Sequence, residues 1–235
     1  MQNALKMIAS LICVISTNGG RFAKIVQGEC NQVYLNCRAA AYLIKNAPTA
    51  LRLYTYNMET VKIKDRSFAV SIPEEKIKER VAALGAQISA DLAGEQPLFL
   101  AVLNGSFVFA ADLLRAVSVP CEISFVRMAS YQGTSSTGKV RQLIGLNEPI
   151  EGRTVVIVED IIDSGLTMKE LLLLLENYHP KRVLISALLV KPGNLKVDLD
   201  IPYCCFEIPN DFIVGYGLDY DGEGRNLRHI YTVED

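Results

Sequence analysis

The segment Val155–Met168 (VVIVEDIIDSGLTM) concentrates the groups that could do chemistry. Two adjacent carboxylates, Glu159 and Asp160, end an apolar run. After Ile161 and Ile162 a third acid, Asp163, opens the turn Ser164-Gly165-Leu166-Thr167, ahead of a leucine-rich stretch reaching Tyr178. Gly165 permits a tight turn. Thr167 and Glu170 stand at capping-box spacing, so a helix should begin here. Such a turn presents backbone N–H groups and the hydroxyls of Ser164 and Thr167 at a helix N-terminus, where an anion is stabilised. A lone D-S-G turn would read as a solvated connection. Here, however, acids crowd an anion cradle, and they repel its ligand unless they hold sugar hydroxyls, bind a metal or act as a base. The combination points to a phosphorylated sugar handled with Mg²⁺. It is not a P-loop, which needs a Lys after its glycine, nor the G-x-G-x-x-G of dinucleotide sites.

The elements that would position this turn can be read on either side of it. Thr60–Lys64 suits a short strand. Ser71-Ile-Pro-Glu74 carries a helix-start pattern with serine as the cap, and Ile77, Val81, Leu84 and Ile88 then place one apolar face on that helix. Leu98–Leu103 is an uninterrupted apolar run of strand length, broken by Asn104-Gly105-Ser106, and a helix over Phe107–Val117 follows. Cys121–Met128, Val155–Val158, Val183–Val190 and Ile213–Tyr216 read as further buried strands. Tyr131–Lys139 (YQGTSSTGK) is polar and glycine-rich, and such a loop beside rigid strands suits a mobile lid. Strands alternating with helices predict an α/β fold with a mainly parallel sheet covered on both faces. Ligands of such sheets bind at the carboxyl ends of the strands.

Composition narrows the class. The 235 residues carry a net charge of −2, which offers no electrostatic reason for a nucleic-acid or anionic-membrane partner. No apolar run approaches the roughly 18 residues of a membrane-spanning helix. Six cysteines without a C-x-x-C pair read as reduced, mostly buried thiols of a cytoplasmic protein. With only His179 and His229, a catalytic triad or histidine-rich zinc site has little to use.

Residues 1–57 differ from the rest. They hold six Lys/Arg against the single acid Glu29, a net of +5, whereas residues 58–235 hold 18 basic and 25 acidic residues, a net of −7. Met7–Ser16 resembles a short signal-peptide core but lacks a small-residue cleavage site, and a transit peptide would carry more Ser and Arg. The preferred expectation is a leader without function, with translation starting at Met58 and one domain over 58–235.

The run V-V-I-V-E-D-I-I-D-S-G-L-T resembles the phosphoribosyl pyrophosphate signature of the type I phosphoribosyltransferases, and E-D-I-I-D-S-G resembles their hypoxanthine–guanine branch. That resemblance implies a parallel sheet flanked by helices, a small hood subdomain and a flexible lid. It implies transfer of a phosphoribosyl group to a 6-oxopurine with Mg²⁺, in a homodimer or homotetramer. Glu159 and Asp160 would meet the ribose hydroxyls, Asp163 would serve as proton acceptor near the purine, and the turn from Asp163 to Thr167 would hold the 5′-phosphate. Leu103-Asn104-Gly105 resembles the pyrophosphate loop, whose strained peptide turns an amide toward the diphosphate. Many members carry Lys where this chain has Asn104.

Ser130-Tyr131 resembles the opening of the lid. Lys191 would reach the exocyclic oxygen of the purine, although a lysine at a strand end is more often a surface charge. Phe212, otherwise a core residue, would stack on the base, and the Ile213 backbone would read its edge. Asp219 would join Glu159 and Asp160 as a metal ligand, and Arg225 would contact pyrophosphate. A different class, a silent regulator on the same fold that senses nucleotides or binds RNA, should lose catalytic positions or gain a basic face. This sequence keeps the positions, and its body is acidic. Xanthine as a substrate stays open.

Overall fold

The computed structural model describes residues 16–17, 21–22, 60–132 and 139–234. The chain divides into two units, Met1–Glu59 and Thr60–Asp235. In the first, strands β1 (Ser16–Thr17) and β2 (Arg21–Phe22) pair antiparallel. The lid expected at Tyr131–Lys139 falls partly outside the described residues, which omit 133–138.

Among the described residues the second unit carries three α-helices and two sheets. Its strands are β3 (Thr60–Ile63), β4 (Arg66–Ile72), β5 (Leu98–Val102), β6 (Glu122–Gln132), β7 (Lys139–Ile144), β8 (Thr154–Ile162), β9 (Arg182–Val190), β10 (Tyr203–Glu207), β11 (Ile213–Val214) and β12 (Ile230–Val233). The helices are α1 (Glu74–Asp91), α2 (Phe107–Ala116) and α3 (Leu166–Glu176). The larger sheet runs β10-β9-β8-β5-β6-β7; its first five strands are parallel, and β7 closes it as an antiparallel hairpin partner of β6. The smaller sheet, β11-β12-β4-β3, is antiparallel throughout and forms the expected second subdomain.

Alternation along the central strands sends side chains to two cores. Phe99 and Ala101 of β5 and Val156 and Val158 of β8 pack under α1 and α2, with Ile77, Val81, Leu84, Ile88, Phe109 and Leu113. Leu98 and Leu100, with Val155 and Ile157, pack under α3 through Met168, Leu171 and Leu175. Burial on both faces is why these strands read as continuous apolar runs. Gly85 lets α1 close onto α2, since a Cβ there would come within 2.5 Å of Ala116 Cβ.

Several expectations shift. Ser71 lies in β4, and its hydroxyl donates to the Ile230 carbonyl (3.1 Å) instead of capping α1. Pro73 takes the N-cap position, and the Glu74 N–H donates to His229 Nδ1 (2.9 Å). Thr167 does not cap α3; the N-cap is Gly165, in the left-handed region at φ 75°. Ser130 and Tyr131 belong to β6, paired with Arg141 and Val140, so strand β6 covers the first two residues of the expected loop, Tyr131 and Gln132. The strand expected over Ile213–Tyr216 stops at Val214, because Gly215 turns back to bridge Leu218.

Candidate active site

Strand β8 does not end at its carboxylates. It continues to Ile162, paired with β9 through Glu159↔Ala187, Ile161↔Leu189 and Ile162↔Val190, while its ladder with β5 stops at Val158. Glu159 and Asp160 thus project where β5 has already turned away, at the carboxyl end of the parallel strands. They share a hydrogen bond. Burial, and then the neighbouring Asp160 charge, hold the Glu159 carboxyl well above the usual carboxylate range. Burial also raises Asp160, opposed by the bond from Glu159 and by the Arg225 charge. Burial and the shared bond disfavour ionisation of both acids at once beside the anion cradle.

The loop after β5 runs against this pair. Leu103 N–H donates to the Val126 carbonyl (2.8 Å), the Leu103–Asn104 peptide is cis, and the buried Ser106 hydroxyl donates to the Val102 carbonyl (2.5 Å). A Cβ on Gly105 would overlap the Asp160 carboxylate, and one on Gly217 would overlap the Gly105 carbonyl. Glycine at both positions lets the loop, the acids and the β11–β12 connection meet. In that connection Arg225 donates to the Gly217 carbonyl (2.7 Å) and pairs with Asp219 (2.5 Å), whose other oxygen accepts from Gly222 N–H (2.8 Å).

The turn from Asp163 to Thr167 leads into α3, whose N-cap residue Gly165 has no side chain to cap it. The start of the helix carries the positive end of its dipole, and Leu166 N–H leans on Ser164 Oγ (3.4 Å). A Cβ on Gly165 would approach Leu199 and Val197 to 2.9 Å, so the segment after β9 backs the turn. Lys196 N–H ties that segment to the Ser164 carbonyl (3.0 Å), and Lys191 N–H to the Ile162 carbonyl (3.0 Å). Lys191, only 8% exposed, brings Nζ to 3.5 Å from Asp163 Oδ2, and Asn194 donates its amide to Asp163 Oδ1.

A cavity of about 340 Å³ opens here, within the range of small-molecule sites, lined by Leu103, Glu159, Ile161, Ile162, Asp163, Ser164, Gly165 and Thr167 together with Val102, Met128 and Met168. Most of the expected signature is therefore gathered on one wall. Phe212 stands outside that wall, 42% exposed at the start of edge strand β11, with Phe68 and Tyr220 rings at 6.3 and 5.7 Å. Ile213 is buried in β11 opposite Thr232.

Among the described residues, no group of three or more His, Cys, Asp or Glu gathers closely enough to hold a metal. Glu159 and Asp160 stand together, whereas Asp219 faces Arg225. These hard carboxylate oxygens fit Mg²⁺, which uses one or two protein carboxylates and completes its shell with water and phosphate oxygens. Sequence reasoning missed Met128, Met168, Asn194 and Gly217 as site residues; only spatial proximity connects Asn194 to Asp163.

The sequence signature of the phosphoribosyl transferase domain matches residues 72–221. The chain belongs to the phosphoribosyltransferase family. It is 43% identical over 173 residues to the hypoxanthine-guanine phosphoribosyltransferase of Mycobacterium avium, covering 71% of this chain and 85% of that one. With the hypoxanthine phosphoribosyltransferase of Salmonella typhimurium it shares 43% identity over 167 residues, 70% of this chain and 94% of the relative. Among solved structures, a hypoxanthine-guanine phosphoribosyltransferase from Bacillus anthracis superposes with a TM-score of 0.65 at 41% identity, covering 74% of this chain and 99% of that one. The chain is an enzyme, and the regulator reading is not favoured.

Proposed function

We propose that this enzyme transfers the 5-phosphoribosyl group of phosphoribosyl pyrophosphate to N9 of hypoxanthine or guanine, giving IMP or GMP and pyrophosphate. The observation that carries this reading is the single cavity in which Glu159, the base candidate Asp163 and the turn Ser164–Thr167 at the start of α3 converge. The amides and hydroxyls from Asp163 to Thr167 hold the 5′-phosphate. Glu159 and Asp160 take the ribose hydroxyls. The loop Leu103-Asn104-Gly105 and Arg225 receive the diphosphate, and Asn104 contributes backbone and amide groups without a charge. Phe212 stacks on the base, the Ile213 backbone reads its edge, and Lys191 donates to the exocyclic oxygen that adenine lacks.

The N9–C1 bond forms as the C1–O bond breaks, and the electron pair of that bond leaves with pyrophosphate. The ring proton displaced from the purine passes to the Asp163 carboxylate. Positive charge on the ribose in the transition state is met by the acid pair, and charge on the leaving group by Arg225. Glu159, Asp160 and Asp219 would hold Mg²⁺, which supplies neutralisation of the diphosphate. Ser130-Tyr131, on the β6–β7 hairpin, lead into the lid that excludes water.

The reading extends to a homodimer or homotetramer in the cytoplasm. The unbridged thiols of Cys121, Cys204 and Cys205 support that location. The test is hypoxanthine conversion with phosphoribosyl pyrophosphate and Mg²⁺, with guanine, xanthine and adenine in parallel. Mg²⁺-dependent formation of IMP with adenine inert supports the assignment. No turnover with any base overturns it.

A further inference from the structure

The Asp163 side chain sits 49% exposed on the turn between β8 and α3, and a carboxylate so placed samples several rotamers unless something holds it. Both of its recorded side-chain partners come from one short stretch after β9. Lys191 ends the strand and Asn194 closes the 3₁₀ turn Pro192–Asn194, whose Asn194 N–H returns to the Lys191 carbonyl (3.0 Å). Pro192 presets the turn, and two backbone bonds, Lys191 to Ile162 and Lys196 to Ser164, fix the stretch on either side of it. The position of the Asn194 side chain is therefore inherited from the backbone that supports the phosphate turn.

Lys191 and Asn194 address different oxygens. Lys191 Nζ faces Oδ2 at 3.5 Å, and Asn194 Nδ2 donates to Oδ1. An ionised carboxylate only accepts, so the amide must present its nitrogen. The amide occupies one oxygen without adding charge, which leaves the other, beside Lys191, to accept a proton.

We propose that Asn194 is a positioning residue for the transferase reaction, holding Asp163 through Oδ1 so that Oδ2 faces the purine. This rests on the transferase reading above, in which Asp163 accepts the ring proton. A 1 Å displacement of a reacting group can cost about 100-fold in rate; a carboxylate loosened but still tethered by Lys191 loses less. Asn194→Ala should lower kcat about tenfold while leaving KM for phosphoribosyl pyrophosphate within about twofold, because the phosphate turn keeps its backbone ties. Asn194→Asp, similar in size but unable to donate and charged against Asp163, should lose more.

The deciding experiment is a double-mutant cycle in the full chain, with kcat, both KM values and Tm measured for Asn194→Ala, Asp163→Asn and the pair. If Asn194 acts through Asp163, the pair equals Asp163→Asn alone in kcat. An Asn194→Ala variant with unchanged kcat overturns the proposal, as does an equal fractional loss in both backgrounds, which would mark a general structural role. A wild type silent with every base overturns the transferase reading itself, and that outcome is distinct from an active wild type indifferent to Asn194.

Discussion

At the scale of residues, the acid pair sets a measurable dependence on pH. The Glu159 carboxyl is held well above its usual range by burial and by Asp160, and Asp160 is raised by burial. From the unfolded carboxylate value of about 4.3 up to the folded value, the native state keeps a proton that the unfolded chain has released. Stability contributed by these groups is thus complete at low pH and is lost as pH rises through the folded value. Glu159→Gln keeps the shape and can still donate to Asp160, but it cannot ionise. In ligand-free protein with chelator present, the Tm of this variant minus that of wild type should grow from pH 5 to pH 8, by about 2–4 °C for each kcal/mol of relieved penalty. A difference independent of pH would show that Glu159 ionises in the native state as it does in the unfolded chain. The chemistry of these residues was legible because the signature is contiguous: strand, acids and phosphate turn lie within fourteen positions. Asn194 was not, because its partner stands 31 positions away and only the fold joins them.

At the scale of elements, legibility followed burial. Strand β5 and the apolar parts of β8 and β9 are covered on both faces and read directly as runs of Val, Leu and Ile. The continuation of β8 through Glu159 and Asp160 was hidden, since charged residues argue against a strand until the site explains them. Strands β4, β10 and β12 went unread because each is only partly buried and mixes polar and apolar residues. The start of α1 shows why a local pattern can fail. Ser71 has the right spacing for a cap, but the antiparallel sheet claims it for a bond to Ile230, and His229 satisfies the first helical amide from 155 positions away. That bond joins the smaller sheet to α1, so the cap also couples the subdomain to the main core. His229→Ala should therefore cost at least the ~1 kcal/mol of a lost helix cap, lowering Tm by about 2–4 °C, with kcat within about twofold of wild type. A thermal melt indistinguishable from wild type would show that solvent replaces the imidazole at no cost.

At the scale of the whole molecule, the two units differ in every property that bears on catalysis. Both hydrophobic clusters and every candidate site residue lie in the unit Thr60–Asp235, and the family match lies inside it at 72–221. Residues 1–57 carry +5 against −7 for the remainder, and among the described residues the cavity at the end of β8 is lined from the second unit. If the leader is without function, a chain beginning at Met58 should melt in one cooperative transition, as a domain with its own core does. It should also keep kcat/KM for hypoxanthine and phosphoribosyl pyrophosphate within about twofold of the full chain, a difference below about 0.4 kcal/mol in transition-state stabilisation. The two readouts separate two possible roles for the leader. A lower Tm with unchanged kcat/KM would mean that residues 1–57 stabilise the domain without touching its chemistry. A fall in kcat/KM at unchanged Tm would mean that they act on substrate access or on the lid, and the expectation of a functionless leader would be abandoned.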